Sequence, residues 1–269
     1  MEISETVVRV DPSFLQDVNR RSGQLVQLCY LCQKCTAGCP TAHAMDYRPA
    51  QMLRLIQFGM RDSLFRSAGL WRCLACETCG ARCPNGISIM RVVEALREMM
   101  REEGYLAEER LALLGDRSLV EGVRALDRFG EIISTTHNIS GDDNALRSIW
   151  SQNLEEVPEG LEGKRGAEVV YFVGCVGSFY PRSYRIPQAF VSTLVAAGID
   201  FTTLGGEEWC CGYPLKVAGL SDEAQALVHH NIERVKEIGA RRVVCSCPTC
   251  YYTWSHIYRD VAKETMADL

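Results

Sequence analysis

Cys29-Tyr-Leu-Cys32-Gln-Lys-Cys35-Thr-Ala-Gly-Cys39-Pro40 returns as Cys73-Leu-Ala-Cys76-Glu-Thr-Cys79-Gly-Ala-Arg-Cys83-Pro84, every cysteine displaced by 44 positions. Both copies read C-x2-C-x2-C-x3-C-P. Pro40 and Pro84 cannot donate an N–H and turn the chain away behind the last cysteine. Ala37, Gly38, Gly80 and Ala81 are small enough for backbone amides to approach the sulfurs. Between the copies Pro49 opens a predicted helix with Met52, Leu55 and Ile56 on one face and Gly59 as its stop. After the second copy Ser88 caps a helix whose Met90, Val93, Leu96 and Met100 form a stripe ending at Gly104. Such a stripe reads as core packing rather than as a partner surface. This half is expected to be α-helical, with the cysteines in loops between helices.

The spacing is the ligand run of two-cluster [4Fe–4S] ferredoxins, in which the fourth cysteine of each run serves the other cluster. Applied here, one cluster takes Cys29, Cys32, Cys35 and Cys83, and the other takes Cys73, Cys76, Cys79 and Cys39. Paired zinc sites are the competing reading, and the duplicated spacing favours clusters. His43 follows the first run, but eight cysteines already fill both clusters.

The C-terminal half reads as strand, helix, strand, helix, strand. Glu168–Val173 is a β-branched and aromatic run ending at Gly174-Cys175. Pro187 opens a helix stopped by Gly198, and Asp200–Leu204 is a second strand leading into Cys210-Cys211-Gly212. Ser221 starts a helix with Ala224, Leu227, Val228, Ile232, Val235 and Ile238 inward and Gly239 as its stop. Arg241–Cys245 is a third strand running into Cys247-Pro248-Thr249-Cys250. That order predicts a small parallel, doubly wound sheet. Cys175, Cys210, Cys211, Cys247 and Cys250 then all fall beyond the carboxyl ends of strands, where such sheets bind ligands.

Five thiolates are one too many for tetrahedral zinc. Neighbouring cysteines cannot easily aim both sulfurs at one ion but can reach two irons, so the set predicts an iron–sulfur centre. Cys245 points the same way as Cys247 by strand alternation and is expected to be a buried free thiol. His229 and His230 lie on a helix face. His256, Tyr251 and Tyr252 are candidates to supply a proton to a leaving thiolate.

The chain has 269 residues, 14 cysteines and a formal charge of −5, with 47% hydrophobic and 23% charged residues. These values suit a globular protein of two modest domains and argue against nucleic acid as partner. No apolar run reaches membrane-span length, and the first twenty residues lack a signal-peptide core, so a cytoplasmic location is expected. No nucleotide- or flavin-binding glycine motif is present. The domains are expected at 1–105 (dicluster), 106–166 (helical connector) and 167–269 (cysteine-rich α/β). In the connector Leu111, Leu114, Leu119, Val123 and Leu126 fit short helices, and the sequence assigns this segment no function.

The two runs, with Leu70-Trp71-Arg72 before the second and Asn85-Gly86-Ile87 after it, resemble the ferredoxin-like electron carrier of heterodisulfide reductase, its C-type component. Phe172-Val173-Gly174-Cys175, Cys210-Cys211-Gly212-Tyr213-Pro214 and Cys247/Cys250 resemble the CCG motif of the catalytic B-type component. The likenesses span about residues 25–104 and 168–256. They imply two [4Fe–4S] clusters carrying electrons from a flavoprotein of the A type to a noncubane [4Fe–4S] cluster on the later five cysteines, which reduces or oxidatively forms a disulfide or thiol substrate. The catalytic component of the family carries two CCG motifs and this chain one, so a second CCG-containing partner, within a hetero-oligomer, is implied. The alternative is a pure electron-transfer protein relaying between a flavoprotein and a quinone or partner enzyme, its third site a cubane or zinc.

Overall fold

A computed structural model describes residues 10–111 and 116–258, so Leu114 lies outside the described residues. The chain forms two compact units: Met1–Asp127 with Val217–Gly219, and Arg128–Lys216 with Leu220–Leu269.

The first unit is helical. Helix α1 (Phe14–Ser22), helix α2 (Pro49–Gln57) and helix α3 (Ile89–Glu102) bury one face each. Pro49 occupies the first position of α2, where the missing N–H costs nothing. Ser88 caps α3 by accepting from the Arg91 amide at 3.3 Å. Met90, Val93, Leu96 and Met100 are all buried, as are Met52, Leu55 and Ile56, so both stripes are core. Phe14 and Tyr105 each meet Phe65 edge-on, with ring centres 5.8 and 4.9 Å away. Helix α4 (Arg117–Thr136) contributes Leu119 and Val123 to the buried residues, and its Arg128–Thr136 stretch belongs to the second unit.

The second unit is built on strand β1 (Val169–Phe172), strand β2 (Phe201–Thr202) and strand β3 (Arg242–Cys245), all parallel, in the order β2-β1-β3. The central strand is buried along its whole length, the mark of a parallel strand covered on both faces. Helix α5 (Arg185–Ala196) joins β1 to β2, and helix α6 (Ser221–Ile238) carries the chain back past β1 to β3. Opposite directions of travel with one crossover hand put the two helices on opposite faces. The core divides accordingly. Val170 and Phe172 pack with Leu227, Val235 and Ile238 of α6, whereas Val169 and Tyr171 pack with Val191 and Leu194 of α5 and with Trp150. Strand β2 is shorter than the expected Asp200–Leu204, and α5 begins two residues before Pro187, which is tolerated in a first turn.

A strand order that reverses at β1 opens a crevice at the carboxyl ends of β1 and β3. The loops bearing the five later cysteines lead into that end.

Candidate functional site

In the first unit the two cysteine runs share a backbone as well as a spacing. Leu31 and Gln33 have φ of 62° and 65°, and their counterparts Ala75 and Glu77, 44 positions on, have 52° and 57°. Left-handed backbone at non-glycine residues is uncommon and costs energy, so two matched pairs signal an imposed geometry. Alternating left- and right-handed residues turn successive N–H groups into a concave nest for anions such as cluster sulfides. Each run then enters one helical turn, Lys34–Ala37 or Thr78–Ala81. Cys39, Cys73, Cys76 and Cys79 line one cavity together with Met45, Met52, Ile89 and Val93. Cys39 thus stands with the three leading cysteines of the other run. Tyr30 lies near Cys32, Cys83 and Cys29, and partial desolvation with their charges pushes its phenol up. Burial raises the Cys35 and Cys73 thiols and drives Cys79 up to about 12. An uncompensated thiolate there is unfavourable, which suits residues that ionise only against a cation. His43 is exposed.

In the second unit Cys175 sits at the start of the helix Cys175–Phe179 after β1, and Cys210 and Cys211 follow β2 in the loop before the helix Tyr213–Ala218. Cys247 caps the helix Pro248–Tyr252, which carries Cys250. Sulfur-to-sulfur hydrogen bonds join Cys175 to Cys210, Cys210 to Cys211, Cys211 to Cys250, and Cys250 to Cys247. All five predicted ligands therefore meet at one end of the sheet. Four are buried and Cys247 is half-buried. Gly174 is the hinge of the arrangement. A Cβ there would lie 2.8 Å from the Cys250 sulfur, and its φ of 79° suits only glycine.

The ionisation alternates along the row. The Cys210 hydrogen bond pulls Cys175 down to about 6 against its burial, and the Cys250 bond does the same for Cys247. Cys211 is lowered by bonds from Cys210 and Cys250, which as donors are themselves pushed up. A bound cationic centre would favour the thiolate form of all five.

Four residues outside the cysteine pattern hold this site. Arg147, from the segment Asn144–Asn153, donates from Nη2 to Cys175 Sγ at 3.2 Å and from Nη1 to Glu208 Oε1 at 2.8 Å. Glu208 in turn accepts from the Val173 and Gly174 amides, both at 2.8 Å, and so fixes the end of β1. Burial raises the Glu208 carboxyl to about 7 against the pull of Arg147. Asn231 on α6 accepts from the Trp209 amide at 3.0 Å and donates to the Cys210 carbonyl at 3.2 Å. The His137 carbonyl accepts from the Cys210 amide at 2.7 Å. Thus a segment to which the sequence assigned no function supplies a buried cation to a predicted ligand.

Cys245 packs against the same core cluster as the five cysteines, outside their row. Cys245 is half-buried and lines a cleft of about 210 Å³ with Val243, Tyr251 and Trp254; burial raises its thiol. His230 stacks at 3.6 Å on Trp209, whose other face carries His137 at 3.5 Å. His229 is exposed. Nδ1 of His256 lies against the Ser255 hydroxyl at 2.8 Å and the Tyr252 carbonyl at 3.2 Å, and its ring stacks on Tyr252.

Two family profiles match the chain, "4Fe-4S dicluster domain" over residues 25–87 and "Cysteine-rich domain" over residues 169–254. The D subunit of dihydromethanophenazine:CoB--CoM heterodisulfide reductase from Methanosarcina mazei is 28% identical over 260 residues, covering 87% of this chain and 58% of the relative. The iron-sulfur C subunit of CoB--CoM heterodisulfide reductase from Methanopyrus kandleri is 34% identical over 169 residues, covering 59% of this chain and 80% of the relative. EtfAB:quinone oxidoreductase of Syntrophomonas wolfei is 29% identical over 196 residues, covering 71% of this chain and 25% of the relative. The chain thus spans 58% of the length of the Methanosarcina mazei protein.

Proposed function

The chain belongs to the heterodisulfide reductase family of iron–sulfur subunits, and on that premise we propose that it carries electrons between a flavoprotein partner of the A type and a disulfide or thiol substrate. Cys29, Cys32, Cys35 and Cys83 hold one [4Fe–4S] cubane, and Cys73, Cys76, Cys79 and Cys39 hold the other. Cys175, Cys210, Cys211, Cys247 and Cys250 hold a noncubane [4Fe–4S] centre. When bound, these centres supply one-electron storage and, at the third, iron that can take a substrate sulfur. The protein's own part is to gather five thiols beyond the strand ends and to exclude water from four of them. It also presents a guanidinium to Cys175, while Glu208 and Asn231 fix the loops that bear Cys175 and Cys210. Assembly with a flavoprotein and a second CCG-containing partner completes the proposal, in a reducing compartment such as the cytoplasm, as suits 14 unpaired cysteines. Among the described residues no helix is long and apolar enough to cross a membrane.

The observation that carries this reading is the continuous row of sulfur contacts from Cys175 to Cys247. A plain relay has no use for a fifth thiolate. The likeness to an EtfAB:quinone oxidoreductase supports a second reading, a relay to a quinone or partner enzyme. Electron paramagnetic resonance during thiol or disulfide addition separates the two. A substrate-dependent change in the third signal is expected. An unchanged spectrum across a range of thiols and disulfides would leave the relay.

A further inference from the structure

Arg147 is almost wholly buried, at 1% exposure, and so is Glu208, at 2%. A buried ion pair is poor evidence of stabilisation by itself, because desolvating both charges offsets most of their attraction. What the guanidinium does with its remaining donors is therefore informative. Nε donates to Asn144 Oδ1 at 3.2 Å, and Nη1 donates to Glu208 Oε1 at 2.8 Å with Ser178 Oγ at 3.5 Å beside it. Nη2 is aimed at Cys175 Sγ at 3.2 Å, with the His137 carbonyl at 3.5 Å its only other acceptor among the described residues. Phe179 covers the guanidinium face, its ring centre 5.1 Å away. The carboxylate that should neutralise Arg147 is also spent on two backbone amides, Val173 and Gly174. Those two amides share the carboxylate with Arg147, and the guanidinium keeps one donor directed at the sulfur. It delivers a charge-assisted hydrogen bond to a ligand sulfur in a dry pocket.

Hydrogen bonds and positive charge at ligand sulfurs favour the electron-rich, reduced form of an iron–sulfur centre. We infer that Arg147 is a positioning residue that sets the reduction potential of the third centre through its Nη2–H···Sγ bond to Cys175. The inference rests on the reading of Cys175, Cys210, Cys211, Cys247 and Cys250 as ligands of that centre. Removing Arg147 alone leaves Glu208 buried and unpaired, so the informative variants are Arg147→Lys and the double change Arg147→Gln with Glu208→Gln.

The test is a redox titration of the full-length protein, purified without oxygen and followed by electron paramagnetic resonance, with iron counted in each preparation. The double variant is expected to keep its iron and to shift the third centre toward the oxidised form by about tenfold, the worth of one hydrogen bond to a charged group. That factor is about 59 mV for a one-electron couple. Arg147→Lys should shift the same way by less, and the two cubane potentials should stay put as internal controls. An exchangeable hydrogen coupled to the third centre should be detectable by electron–nuclear double resonance in the wild type. Full iron with an unchanged third potential would overturn the role of Arg147 and leave the function standing. A wild type lacking the third centre would sink both. If neither variant folds, absence of the exchangeable coupling in the wild type would still refute the inference.

Discussion

Replacing Gly174 with alanine should abolish the third centre while sparing the other two. The cost has two parts that can be separated. The first is backbone. Gly174 holds φ 79° and ψ 157°, a region essentially reserved for glycine, and forcing a side chain there costs about 1–3 kcal/mol. The second is steric. The new Cβ would stand 2.8 Å from Cys250 Sγ, where ordinary contact begins at 3.4 Å. Cys250 cannot retreat freely, because it is buried on the helix Pro248–Tyr252 and hydrogen-bonded to Cys211 and Cys247. Overpacking of this kind adds about 1–3 kcal/mol, so the pair comes to roughly 2–6 kcal/mol, concentrated on two predicted ligand loops. Gly239→Ala is the control, since its φ is 82° but nothing lies within 4 Å of the added Cβ. It should lower stability by the strain alone and keep all its iron. The assay is iron per chain, with denaturant unfolding of both variants. About eight irons are expected in Gly174→Ala and about twelve in Gly239→Ala, at four per cluster. Gly174→Ala with full iron and wild-type stability would refute the packing of Cys250 against the end of β1.

Asn231→Leu should loosen the Cys210–Cys211 loop at a cost of about 2–4 kcal/mol, several buried hydrogen bonds lost together, read as a lower unfolding midpoint and poor retention of third-centre iron. Glu208→Ala strands Arg147 as a buried charge and should destabilise the second unit by about 3–5 kcal/mol; an unchanged denaturation midpoint would count against the ion pair. Cys39→Ala should remove the same resonance signal as Cys76→Ala, and loss of the signal that Cys32→Ala removes would reverse the cross-run pairing. Burial acts to raise the Asp46 carboxyl, but hydrogen bonds from Ser67 and the Tyr47, Gly69 and Ala68 amides outweigh it and hold it below the usual carboxylate range. Its folded pKa is depressed, so its stabilisation is present above the ordinary Asp value near 3.9 and is lost as pH falls through the lowered value. Asp46→Asn should flatten the acid limb of the urea midpoint against pH, and identical acid limbs would exclude the contribution.

The ordered part of this fold is written in local signals. Pro49, Ser88, Gly104, Gly198 and Gly239 punctuate helices because capping and left-handed stops act within one turn. The buried run Val169–Val173 shows itself as a strand because a central parallel strand is apolar on both faces. Once the strand–helix alternation is read, the five later cysteines fall at the strand ends without further information. What stayed hidden is non-local. Arg147 and Glu208 are 61 positions apart and read singly as surface charges, since burial of a charge depends on a partner that no window contains. The left-handed backbone at Leu31, Gln33, Ala75 and Glu77 carries no glycine to announce it. The His137–Trp209–His230 stack joins three separate elements. The pattern of the connector 106–166 is weak partly because it contains a 3-10 stretch, Asn144–Asn153, whose Arg147 and Trp150 are buried.

The most direct test is a count of iron and zinc per chain on protein purified without oxygen. Three iron–sulfur centres predict about twelve irons and no zinc. About eight irons with one zinc would contradict the account, leaving a two-cluster carrier with a structural ion among the five later cysteines.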